Sequence, residues 1–150
     1  MSRVQNVIAF VALVLVVGFA SALLSPPGAW YASLAKPEFN PPNWIFAPVW
    51  IVLYIFIGIA GALAWRSDRR GSLTPLWFGQ LVLNGTWSIV FFRLHLPVVA
   101  LAIVLALLAT VLGFVAVAWR SNRTAAMLFL PYAAWVAFAS LLNLMIVRLN

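Results

Sequence analysis

Long apolar runs separated by short polar connectors dominate the chain. Five runs, at 5–24, 44–65, 73–92, 97–119 and 125–147, match the roughly 20 helical residues that a bilayer core requires. Three of the connectors, 66–72, 93–96 and 120–124, are short, and short connections make successive helices antiparallel neighbours. The pattern predicts an all-α membrane protein. It is a single domain over residues 1–150, a five-transmembrane-helix bundle whose termini lie on opposite sides.

The stretch at 30–54, WYASLAKPEFNPPNWIFAPVWIVLY, breaks this regularity. It holds the only lysine, Lys36, one of the two acids, Glu38, and four prolines, Pro37, Pro41, Pro42 and Pro48, with Pro27 just ahead. Proline fixes its own φ and restricts the residue before it, so such a loop is stiff. This Pro/Trp-rich loop between helices 1 and 2 reads as a lid, with Trp30, Lys36, Pro41, Pro42 and Trp44 as its marked residues.

Composition agrees with a membrane setting. The chain is 66% hydrophobic and 7% charged, with mean hydropathy +1.10, whereas soluble domains carry about 25% charged residues. There is no cysteine, which rules out disulfide and thiolate chemistry. The net charge of +7 does not signal nucleic acid, because the arginines flank apolar runs and form no recognition module. Arg3, Arg66, Arg69, Arg70, Arg120 and Arg123 fall on the N-terminal side, against Lys36, Arg93 and Arg148 on the other. The positive-inside bias then puts the N-terminus in the cytoplasm of a bacterial cell and the proline loop outside. Arg3, the first apolar run and Ala20-Ser21-Ala22 resemble a secretory signal. The run from Val7 to Leu24 is longer than the usual 7–15-residue signal core, so a retained helix is expected. Gly18/Ala22, Gly58/Ala62, Ala109/Gly113 and Ala133/Ala137 are small pairs four apart, suited to close helix approach.

Polar side chains inside a membrane are costly, and so informative. Gln80, Asn84, Trp87 and Phe91 share one helical face by spacing, as do Trp50 and Tyr54, and as do Trp135, Ala139, Leu142 and Asn143. At 1.5 Å rise per residue, Trp50, Tyr54, Asn84, Trp87 and Asn143 fall within about 15 Å of the loop-side helix ends. Three helices thus direct aromatics and amides beneath the loop. Trp30, Trp44, Trp65, Trp77 and Trp119 flank connectors and are expected in an interfacial belt. No carboxylate or histidine lies within an apolar run: Glu38, Asp68 and His95 all sit in connectors. A proton relay, a zinc or di-metal site and an acyl-transfer pair therefore have no residues to build them. What remains suits a large, flat, aromatic or polycyclic ligand, with Lys36 or a loop arginine available to a ligand carboxylate.

The sequence resembles the TspO/MBR family of tryptophan-rich sensory proteins and translocator proteins. The resemblance is carried by Trp30-Tyr31-x-x-Leu34-x-Lys36-Pro37, Pro41-Pro42-x-Trp44, Pro48-Val49-Trp50-x-x-Leu53-Tyr54, Gly79-Gln80-Leu81-x-Leu83-Asn84-x-x-Trp87, Phe91-Phe92, and Pro131-Tyr132-x-x-Trp135-x-Ala137-Phe138-Ala139 through Leu142-Asn143. It implies a five-helix bundle, commonly a homodimer, that binds porphyrins such as protoporphyrin IX and haem as ligands and needs no cofactor. In some members it implies sterols and benzodiazepine-type drugs. The matching pocket positions are Trp50, Asn84, Trp87 and Trp135, with Ala139 at a ligand-sensitive small position. Transport, sensing or regulation, and light-dependent porphyrin degradation through Trp50 and Trp135, are the roles it implies. The family's C-terminal sterol pattern is incomplete, because Leu144 and Met145 stand where it needs a tyrosine, although Arg148 is present.

Overall fold

Ser2 starts the first helix. Its hydroxyl accepts from the Gln5 N–H (3.1 Å) while the Gln5 side chain accepts from the Ser2 N–H (2.9 Å), so two otherwise unpaired donors are satisfied at once. The computed structural model describes residues 1–150 and contains no strand. Helix α1 spans Arg3–Leu24, α2 Ala29–Ser33, α3 Asn43–Ser67, α4 Leu73–Ser88, α5 Pro97–Ser121 and α6 Arg123–Leu149. Helices α1, α3, α5 and α6 are long and apolar enough to cross a membrane.

Two features depart from the expected five regular spans. The proline loop contains a helix of its own, α2. The run at 73–92 is α-helical only to Ser88 and continues as a π-helical turn, Ile89–Arg93. A π turn holds one more residue per turn than the α-helix, which rotates everything beyond it. Residues 87 and 92, five apart, are thereby brought onto one face.

The long helices close a ring: α1 packs on α3, α3 on α6, α6 on α5, α5 on α4, and α4 back on α1. The α1–α3 contact depends on glycine. A Cβ at Gly58 would lie 2.5 Å from the Val11 Cα, and at Gly18 the Tyr54 ring occupies the space a Cβ would need. Gly113 is different, since its nearest foreign atom would be the Leu76 Cδ2 at 3.7 Å, an ordinary contact. Of the expected small pairs, those in α1 and α3 set the helix approach.

At the end away from the proline loop the core is aromatic and fully buried. Trp77, Phe114, Phe129 and Tyr132 are fully buried, and the Phe114 and Phe129 rings stack at 4.0 Å between centroids. Trp77 does not join an interfacial belt. It points inward against Gly61 and donates its indole N–H to the Ile57 carbonyl (2.8 Å). Its position near the start of α4 resembled a boundary, but the missing side chain at Gly61 opens a slot for the ring. Nearby, Tyr132 donates to Gln80 Oε1 (2.7 Å) and accepts from Asn84 Nδ2 (2.9 Å), joining α6 to α4 through three buried side chains.

Because Gly58 faces backbone, Gly58→Ala is expected to destabilise by about 1–3 kcal/mol, the usual cost of overpacking. Gly113→Ala, with room for its methyl, should be neutral or stabilising by up to about 1 kcal/mol through helix propensity. Thermal unfolding of the two variants in one detergent checks this, and equal midpoints would refute the glycine contact.

Candidate functional site

The loop-side end is covered by residues 25–42, held down at several points. Ser25 turns its hydroxyl back to the Ser21 carbonyl and closes α1. On α2, Trp30 stacks on the His95 imidazole (4.3 Å, 10°) and meets Phe91 edge-on at 5.6 Å. His95 has φ 56°, a left-handed conformation uncommon outside glycine. Further along, the Ala35 N–H donates to Asn150 Oδ1 (3.0 Å), and Asn150 Nδ2 donates to the Ala35 carbonyl (2.9 Å). Arg93 donates to the Leu24 carbonyl (3.2 Å). Lys36 donates to the carbonyls of Tyr31 (2.6 Å) and Leu34 (3.3 Å), with its ammonium 4.4 Å above the Tyr31 ring. Burial pushes the Tyr31 phenol up from its ordinary pKa, partly offset by the nearby Asn40 side chain.

Beneath this cover lies a cavity of about 320 Å³, within the range of small-molecule sites. Gly18, Phe19 and Ala22 of α1 form one side, and Phe46, Ala47, Trp50, Ile51 and Tyr54 of α3 another. Trp87, Ser88, Phe91 and Phe92 come from α4 and its π turn, and Trp135, Ala139, Leu142, Asn143 and Ile146 from α6. The loop adds Ser25, Pro27, Tyr31 and Asn40 as a roof, with Asn43 at the start of α3.

The aromatic walls brace one another. Trp50 stacks on Tyr54 (5.5 Å, 29°) and meets Trp135 at right angles (6.4 Å, 89°), and Trp87 stacks on Phe91 (5.5 Å, 29°). Asn143 anchors the α6 wall. Its Oδ1 accepts from the Trp87 indole N–H (3.0 Å), and its Nδ2 donates to the Pro97 carbonyl (2.9 Å), so one amide joins α4, α6 and α5. With both ends engaged, Asn143 positions Trp87 rather than offering a free group. Apolar faces form most of the surface available to a ligand.

Eight of the ten residues singled out for ligand contact line this cavity: Trp50, Tyr54, Trp87, Phe91, Trp135, Ala139, Leu142 and Asn143. Gln80 and Asn84 lie behind it, bonded to Tyr132, whose ring Trp50 meets edge-on at 6.4 Å. None of the five marked loop residues lines the cavity. Trp30 backs Phe91, Lys36 is occupied within the loop, Pro41 and Pro42 lead into α3, and Trp44 is 73% exposed. The α1 wall was missed, although the small pair Gly18/Ala22, both in the lining, was its available signal. Phe92 was missed because the helical spacing assumed no π turn. No group of three His, Cys, Asp or Glu could hold a metal, and no histidine, cysteine or methionine lines the cavity.

Residues 10–149 match the TspO/MBR family. The chain is 40% identical to the tryptophan-rich protein TspO of Archaeoglobus fulgidus, across 99% of both chains. It is 40% identical to the translocator protein of Ovis aries over 76% of this chain and 70% of that one. The tryptophan-rich sensory protein of Cereibacter sphaeroides is 32% identical over 85% and 80%. With a bundle of membrane-length helices, an aromatic cavity under a proline loop and matches across almost its whole length, this multi-pass membrane protein belongs to the TspO/MBR family.

Proposed function

We propose that the protein binds a tetrapyrrole, protoporphyrin IX or haem, in the aromatic cavity beneath the loop, and that it carries or senses this ligand. The observation that carries the reading is the cavity wall: Trp50, Tyr54, Trp87, Phe91 and Trp135 surround one space whose polar neighbours are largely engaged with one another. Flat aromatic faces favour a flat, polarisable ring, with contacts worth about 0.5–1.5 kcal/mol each beyond area burial. In this proposal α4 and its π turn form the fifth span, the protein is a homodimer in a bacterial cell membrane, and the N-terminus is cytoplasmic. Sterols and benzodiazepine-type drugs are secondary ligands. A second reading, light- or oxygen-dependent degradation of the bound porphyrin, draws support from the Trp50–Trp135 pair in the wall. Turnover of protoporphyrin by the purified protein under illumination separates it from simple binding.

Titration by tryptophan quenching tests the site. Trp50→Ala and Trp135→Ala should each weaken protoporphyrin binding by about two- to tenfold, while Trp119→Ala, outside the cavity, should leave it unchanged. Equal losses in all three would remove the cavity from consideration. The cover is tested kinetically. Asn150→Ala, which deletes both bonds to Ala35, and Trp30→Ala, which deletes the stack on His95, should each speed ligand release in stopped-flow displacement. Unaltered release would mean that the loop does not gate the cavity. Lastly, axial haem ligation needs His, Met, Cys or Tyr at the ring centre, and only Tyr31 and Tyr54 line the space. Metal-free protoporphyrin should therefore bind at least as tightly as haem, without a six-coordinate haem spectrum. A haem preference abolished by Tyr54→Phe would overturn that expectation.

A further inference from the structure

We infer that the end of the bundle away from the cavity is a binding site for anionic phospholipid headgroups, organised around two tryptophan–arginine pairs. Six of the nine cationic side chains lie in segments at that end: Arg3, Arg66, Arg69, Arg70, Arg120 and Arg123. Asp68 is the one acid among them. Its carboxylate accepts from the Leu73 N–H (3.2 Å), so it caps the start of α4 and bridges to no arginine. Positive charge is left over at this end, and its counter-charge must come from outside the chain.

Two of these arginines are held in a particular way. The Arg69 guanidinium lies 4.6 Å over the Trp65 ring, and the Arg123 guanidinium 4.9 Å over Trp119. In both pairs the spacing is four residues, and each tryptophan occupies the last turns of a membrane-length helix, α3 or α5. Indole rings at such positions settle at headgroup depth. A guanidinium held over an indole face keeps N–H groups free, and its fork matches the oxygens of a phosphate. The tryptophan holds the arginine at the level where lipid phosphates lie. Arg66 and Arg70 flank the first pair and Arg120 flanks the second, so each pair sits in a local cationic cluster. Soluble polyanions would find the same charge but not the same depth. The placement of both arginines over interfacial tryptophans favours the membrane as the source of phosphate.

The test uses the full chain in nanodiscs of phosphatidylcholine with graded phosphatidylglycerol, reading the association of spin-labelled lipids. The wild type should enrich phosphatidylglycerol over phosphatidylcholine several-fold, and salt should diminish that preference. A headgroup-level arginine accounts for about fivefold in association, so Arg69→Gln/Arg123→Gln should remove most of the enrichment. Trp65→Leu/Trp119→Leu retains all charge and should reduce it partially. Arg148→Gln, at the opposite end, should leave it intact. Equal enrichment in the wild type and the double arginine variant would overturn the proposal. So would an equal loss in Arg148→Gln, or an undiminished preference in the tryptophan variant. If the double variant fails to assemble, the wild type decides: absent or salt-independent selectivity refutes the site. Binding of a soluble polyanion such as heparin in pure phosphatidylcholine discs, with no lipid preference, would instead assign the surface to a soluble partner.

Discussion

Hydrocarbon offers no hydrogen bonds, so each polar group placed in it must find a partner within the protein. Asn143 answers that constraint for the cavity. One amide accepts from the Trp87 indole N–H, donates to the Pro97 carbonyl and thereby joins three helices at the level of the cavity. Tyr132 does the same one layer deeper, between Gln80 and Asn84. The second layer is incompletely matched, since Gln80 Nε2 is buried without a partner. A buried amide has more capacity than one tyrosine hydroxyl can take up. These cross-helix bonds orient the aromatic walls, and the walls make the cavity.

Much of this was legible in the sequence. Apolar runs located the long helices to within a few residues of their observed ends, because length against bilayer thickness is a coarse and robust criterion. Helical spacing together with antiparallel order brought Trp50, Trp87, Trp135 and Asn143 to one level, and all four line one cavity. The proline loop was read as a lid from its prolines and aromatics, and Ser25, Pro27, Tyr31 and Asn40 of that region line the cavity.

What escaped the sequence has physical causes. Spacing says which residues share a face but not how deep that face lies, so Gln80 and Asn84 were grouped with a cavity they stand behind. The π turn at Ile89–Arg93 rotates the register, and no residue type specifies such a turn. Trp77 looked interfacial by position, yet its surroundings depend on Gly61 in another helix. The Lys36 ammonium was expected to be free for a ligand, but carbonyls two and five residues before it lie within its reach. In each case a contact between segments distant in sequence, or a local backbone choice, outweighed the pattern along the chain.

The wall also contains three alanines, Ala22, Ala47 and Ala139, set among the large rings. Their methyl groups are the smallest side chains in the lining apart from Gly18, and growth at any of them would project into empty space rather than into packed core. The rings are constrained by stacking and by cross-helix bonds, whereas these alanines border the open volume of the cavity. Larger side chains at the alanines would therefore reshape the cavity while leaving its aromatic frame in place. The free volume of the cavity and the frame around it therefore rest on different residues.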